Sequence, residues 1–187
     1  MTQKLKTGLG MAGLALFIAI AVIAYSTLAG RVSPANSPVF TEESAAGRQR
    51  APDFTLTDWD GNSLRFSDIV AEGKPVILNF WASWCPACRN EKPGFEKVYQ
   101  ERGEEVKFVM LGLVDGVRET VQTAQRYIEE GGFTLPVYFD TLREGLVVYG
   151  VRFIPATVFV DRDGYIVTAV QGAVDEDTLR EIIDQLM

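Results

Sequence analysis

The sequence predicts an α/β domain, a mixed central sheet flanked by helices, carried behind an N-terminal transmembrane helix. Three observations point there. From residue 51 onward, short apolar runs of strand length alternate with stretches of helical period. Near the end, two strand-like runs flank Asp163-Gly164, a hairpin signal, so part of the sheet is antiparallel. At the start, Thr7 to Gly30 is uncharged and rich in Leu, Ile, Ala and Val.

As a helix, Thr7–Gly30 would span about 36 Å, enough to cross a hydrocarbon core of about 30 Å. Lys4 and Lys6 precede it, and flanking cations favour the cytoplasmic side, which places the remainder outside. The rival reading is a cleaved signal peptide, since Thr27-Leu28-Ala29 is a passable cleavage site. The apolar run is longer than a usual signal core, which favours an uncleaved anchor. No cysteine lies near it, which excludes a lipid-modified terminus. Residues 1–30 are therefore a cytoplasmic stub and signal anchor. Residues 31–50, with Pro34, Pro38 and small residues and no period, are a flexible linker, and residues 51–187 form the domain.

Within the domain, Phe54–Leu56 and Leu64–Phe66 flank Asp60-Gly61 and read as an extra N-terminal hairpin. Val76–Trp81 is apolar except for Asn79 and reads as a strand buried on both faces. Phe95, Val98 and Tyr99 follow at helical spacing. Val106–Leu113 is another apolar strand. Val117, Val121, Ala124 and Ile128 then mark a helix stopped by Gly131-Gly132. Leu135–Phe139 is a short strand, and Asp140 can cap a helix ending near Tyr149-Gly150. Thr157–Val160 and Tyr165–Val170 pair as a hairpin. The last helix starts at the cap Asp175 and buries Leu179, Ile182, Ile183 and Leu186.

Charge narrows the function classes. Residues 51–187 carry 13 Lys/Arg against 23 Asp/Glu, and residues 1–50 carry 5 against 2. An acidic domain argues against nucleic-acid binding, which needs clustered cations.

The chain has 2 cysteines, Cys85 and Cys88, placed where the central strand hands over to a helix. Cys85 precedes the first turn, and Pro86 stands where a missing N–H costs nothing. Free N–H groups and the helix dipole stabilise a thiolate at such a position. Cys88, one turn later, can attack a mixed disulfide formed on Cys85. With no other cysteine and no histidine, the ligands of a zinc site cannot be assembled, and Arg89 stands where haem attachment needs histidine. A structural disulfide closing so small a ring contributes little stability. The pair reads as redox-active, with no metal and no cofactor.

The segment Phe80-Trp81-Ala82-Ser83-Trp84-Cys85-Pro86-Ala87-Cys88 resembles the active-site stretch of the thioredoxin superfamily, in its membrane-anchored TlpA/ResA/DsbE branch. Ala51–Thr57 with Asp60-Gly61 resembles the N-terminal hairpin of that branch and of peroxiredoxins. Tyr149–Thr157 resembles the segment carrying a cis-proline, and Asp161–Gly164 the hairpin turn after it. The resemblance covers about residues 50–187 and implies a thioredoxin-like fold.

It also implies roles. Pro155 would be the cis-proline facing the dithiol, and the backbone of Ile154 would pair with bound polypeptide. Trp84 and Pro86 would complete the substrate surface, while Trp81 belongs to the core. Gly172 matches a glycine that lets substrate approach. Asn79 departs from thioredoxin, which has a buried Asp there, so the carboxylate serving Cys88 would be Glu91, one turn along the helix. Pro93 would kink that helix.

The activity implied is that of a thiol:disulfide oxidoreductase on the extracytoplasmic face of the cell membrane. Its substrates would be oxidised proteins such as apocytochrome c during cytochrome c maturation, and a membrane thiol-transfer protein would donate electrons to a monomeric enzyme. The uncharged Pro86-Ala87 insert favours a reducing couple. The alternatives are a peroxiredoxin-like thiol peroxidase, whose P-x-x-x-T-x-x-C loop is missing here, and a non-enzymatic membrane-tethered scaffold.

Overall fold

A computed structural model describes residues 48–187. The expected anchor at 1–30 and most of the linker lie outside the described residues. Among the described residues, no helix is long and apolar enough to cross a membrane.

Seven strands form one sheet in the order β2-β1-β5-β4-β3-β6-β7. In chain order they are β1 (Thr55–Thr57), β2 (Ser63–Arg65), β3 (Val76–Trp81), β4 (Lys107–Gly112), β5 (Val137–Phe139), β6 (Ala156–Val160) and β7 (Ile166–Gln171). The helices are α1 (Phe66–Val70), α2 (Pro86–Arg102), α3 (Val121–Gly131), α4 (Glu144–Val148) and α5 (Glu176–Leu186). The sheet is mixed: β3, β4 and β5 run parallel, and β6 pairs antiparallel with β3 and β7. β1 lies antiparallel to β2, with Leu56 opposite Leu64, and to β5. This is a thioredoxin-like fold.

β3 is central, and all six of its residues are buried. Because side chains alternate across a strand, Val76, Leu78 and Phe80 enter the core on one face, with Phe54, Phe66 and Tyr149. Ile77 and Trp81 enter the other, with Phe95, Ala124, Ile128, Leu179 and Ile183 from α2, α3 and α5. Asn79 shares that second face, beneath α2.

Four details differ from the sequence reading. Phe66 opens the short helix α1 instead of extending a strand; its N–H donates to the Phe54 carbonyl and its ring stacks on Phe54 at 5.1 Å. Val117 is not on α3. It is 87% exposed in a turn where the Asp115 carboxylate accepts from the N–H groups of Val117, Arg118 and Glu119. That carboxylate holds the backbone out of the helix, which starts at Val121 behind its N-cap Thr120, paired with Thr123 in a capping box. Asp140 does cap α4, but from outside it, accepting from Gly145 and Leu146 while Arg143 stands at the N-cap. Last, the final residues of the linker pair with the sheet: Arg50 bridges to Tyr165, and Ile166 N–H donates to the Gln49 carbonyl. The edge strand β7 has unpaired backbone groups there, and the incoming chain satisfies them.

Candidate active site

Cys85 is the N-cap of α2, and Pro86 occupies the first helical position. The two cysteines form a disulfide with their Cα atoms 5.3 Å apart. The Cys88 N–H donates to Cys85 Sγ at 3.2 Å, one of the otherwise unpaired amides of the helix start. In the reduced protein that contact and the dipole favour a thiolate on Cys85. Cys85 Sγ also lies 3.7 Å from the Ile154 carbonyl oxygen, and the Ile154–Pro155 peptide is cis. The cis-proline segment therefore closes over the disulfide.

Cys85 is 4% exposed and Cys88 fully buried. The order matches the sequence reading, but Cys85 is less open than its position ahead of the helix suggests, because the Ile154–Pro155 segment lies over it. Trp84 is 41% exposed beside it, with the Arg118 guanidinium 4.0 Å from the ring centre. Trp81 is in the core, as expected. Gly172 has a φ of +100°, a backbone state that glycine alone adopts readily, and its N–H donates to the Pro155 carbonyl. Pro93 lies inside α2.

Glu91 is buried, not on the surface. Its Oε1 accepts from Asn79 Nδ2 at 2.9 Å and its Oε2 from the Val174 N–H at 3.0 Å. Asn79 Nδ2 also donates to Thr157 Oγ1 at 3.0 Å. Burial pushes the Glu91 carboxyl above the ordinary carboxylate range, against the opposing pull of these donors and of Lys92. An acid placed one turn from Cys88, with its proton affinity raised by burial, is suited to take up and return a proton.

Two buried ionisable residues escape the sequence reading. Lys92 is fully buried, its Nζ 4.1 Å from the centre of the Trp81 ring. No hydrogen-bond partner reaches Nζ among the described residues. Burial pulls its pKa down to about 7, with Glu91 opposing. The signal was present: Cys88, Glu91, Lys92, Phe95 and Val98 fall on one helical stripe, and all are buried. Glu119, also fully buried, accepts from the Ser83 N–H, from Ser83 Oγ at 3.0 Å and from Thr123 Oγ1 at 2.5 Å. It pins the loop before Cys85 to the start of α3. Only the Thr123 contact is local; the Ser83 partners come from a different loop, which the sequence does not announce.

The fold and the paired cysteines define a thioredoxin-like dithiol–disulfide protein. The chain belongs to the AhpC/TSA family, which it matches over residues 48–169. It is 29% identical over 188 residues to the thiol-disulfide oxidoreductase ResA of Geobacillus thermodenitrificans, covering 98% of this chain and 99% of that protein. It is 31% identical over 150 residues to ResA of Halalkalibacterium halodurans, covering 79% and 82%. Among solved structures it is similar to a secreted Mycobacterium tuberculosis disulfide oxidoreductase homologous to E. coli DsbE. That likeness has a TM-score of 0.62 and 28% identity, over 71% of this chain and 96% of that one.

The lysine makes a stability prediction. Folded Lys92 releases its proton near pH 7, whereas an unfolded lysine releases it near about 10.4. Between those values the unfolded chain binds the extra proton, so stability should rise with pH. Lys92→Met removes an unpaired buried amine and should stabilise the oxidised protein at pH 7 by about 1–3 kcal/mol. It should also flatten the rise, as read by urea unfolding midpoints from pH 6 to pH 10. A variant less stable at pH 7 would show that the ammonium is a net stabiliser of Glu91.

Proposed function

We propose that this chain reduces disulfides in protein substrates on the extracytoplasmic face of the cell membrane, held there by its N-terminal segment. That it is a thiol:disulfide oxidoreductase rests on one observation above all. A disulfide between residues 85 and 88 caps the helix that follows the central strand, with a cis-proline against it. The relatives of known name are oxidoreductases of the same chemistry.

The exchange runs in two steps. The Cys85 thiolate attacks one sulfur of a substrate disulfide, forming a mixed disulfide and releasing the other substrate sulfur as a thiolate. Cys88 then loses its proton, Glu91 being the acceptor, and attacks Cys85 Sγ. The second substrate thiolate leaves, the enzyme is left oxidised, and two electrons have passed to the substrate. A membrane thiol-transfer protein returns the electrons by the reverse chemistry. Trp84, Pro86, Ile154 and Pro155 form the surface on which the substrate polypeptide lies, with the Ile154 backbone pairing with it. Apocytochrome c, oxidised at its haem-binding cysteines, is the substrate class that the family resemblance favours. A peroxidase reading fares less well: both cysteines of the chain are committed to one pair, which leaves no lone peroxidatic thiol.

Cys88→Ser should accumulate mixed disulfides through Cys85 with extracytoplasmic proteins, identifiable after non-reducing electrophoresis. A variant that traps nothing counts against the proposal. The couple should titrate against glutathione nearer about −270 mV than about −120 mV, and a value above roughly −180 mV would mark an oxidant or isomerase.

Glu91→Gln tests the proton acceptor. The fold should tolerate it, because Asn79 Oδ1 has no partner and can accept from the new amide once the Asn79 side chain turns over. Loss of the carboxylate's negative charge should lower the thiol pKa values and slow mixed-disulfide resolution by about 10²-fold or more. Alkylation rate against pH and single-turnover exchange read the two effects. Superimposable profiles would remove Glu91 from the mechanism.

A further inference from the structure

Beside the disulfide lies a cavity of about 160 Å³, bounded on one side by Trp84 and Ile154. It is too small for a cofactor or a drug-sized ligand, whose sites run to about 300–1,000 Å³. It is the right size for one side chain of a polypeptide lying against Ile154. Its wall carries Arg118, Arg143 and Arg152, brought from the loop before α3, the start of α4 and the cis-proline segment. Phe153, 72% exposed, completes an apolar edge.

Three arginines lining one cavity are unexpected in a domain with 13 basic against 23 acidic residues. Two carboxylates also line the cavity, and both are engaged elsewhere. Asp115 accepts from three backbone N–H groups, Glu119 foremost, and these amides, with a smaller contribution from the Arg118 side chain at 3.5 Å, lower its pKa to about 2. Asp140 is fully buried and turned into the Gly145 and Leu146 amides. Arg143 and Arg152 have no carboxylate within 4.0 Å among the described residues, which leaves both free to take one. Arg143 is moreover the non-glycine residue held at positive φ, +59°, at this wall.

We infer that this cavity selects polypeptide substrates carrying an acidic side chain next to the reacting cysteine, with Arg143 and Arg152 receiving its carboxylate and Trp84 and Phe153 flanking it. The inference rests on the oxidoreductase reading and names the substrate class of that site. Guanidinium forks suit a carboxylate because two parallel N–H groups match its two oxygens. Partly exposed charges of this kind steer encounter and are weakened by salt.

The test uses the reduced full chain and three disulfide peptides that differ only in the residue flanking the cysteine: Glu, Gln or Lys. Exchange should be fastest with Glu, about tenfold faster than with Lys at low ionic strength. The ratio should shrink at least threefold in 0.5 M NaCl. Arg143→Gln/Arg152→Gln should bring the Glu:Lys ratio close to one, and Arg152→Glu should invert it. The ratio is taken within each variant, so any loss of folded protein cancels. Exchange with uncharged hydroxyethyl disulfide is the control. A wild type active on that control but with no Glu preference, or with a preference unchanged in the double variant, overturns the inference and leaves the oxidoreductase reading standing. Inactivity toward hydroxyethyl disulfide and all three peptides overturns both.

Discussion

Asn79 stands in the middle of a strand whose six residues are all buried, a place where an unpaired amide would cost several kcal/mol. Its Nδ2 donates in two directions, to Glu91 on α2 and to Thr157 on β6. One side chain thus ties together the strand that leads into Cys85, the helix that carries Cys88, and the strand that begins right after Pro155. The parts of the active site come from segments some 70 residues apart, and their relative placement depends on this buried link. Val174 N–H, donating to the other Glu91 oxygen, adds the approach to α5 to the same junction.

The junction is not fully satisfied. Asn79 Oδ1, Trp81 Nε1 and Lys92 Nζ are buried without hydrogen-bond partners among the described residues, and all three belong to the layer between β3 and α2. Natural structures keep such groups few because each carries a desolvation cost. Their clustering beneath the helix that carries the cysteines fits a site where proton affinity is tuned by burial. Burial raises the proton affinity of the acid and lowers that of the lysine, the latter to about 7. Stability is given up there for a group that can change charge near neutrality.

Outside the disulfide, electrostatics of the opposite character operate. The Asp115 turn and the Asp140 cap spend their carboxylates on backbone amides, so that they shape loops without presenting free charge. Of the arginines beside them, Arg143 and Arg152 have no carboxylate within 4.0 Å among the described residues, while Arg118 pairs with Asp115. Arg118 stacks on Trp84, the exposed aromatic next to Cys85. An acidic domain thus presents a cationic rim at its reactive end.

Much of this protein was determined by short-range rules that a sequence displays. The run Val76–Trp81, apolar except for Asn79 and short, reads as a buried strand, and β3 is one. Cys85-Pro86 starts a helix because the proline sacrifices an N–H that has no partner there. Asp163-Gly164 turns the β6–β7 hairpin, and Asp175 with its stripe of Leu179, Ile182, Ile183 and Leu186 gives α5. Tertiary structure decided the rest, because it depends on what arrives from elsewhere. Val117 fits the helical period, yet the Asp115 carboxylate turns its backbone aside. Lys92 lies on the buried stripe of its helix, but only packing sets Trp81 over its amine and leaves it without a hydrogen-bond partner among the described residues. Arg118, Arg143 and Arg152 line one cavity only because the segments after β4 and β5 and the cis-proline segment lie at the same end of the sheet. Local periodicity encodes which face a residue turns; the neighbour it then meets is set by packing between elements distant in the chain.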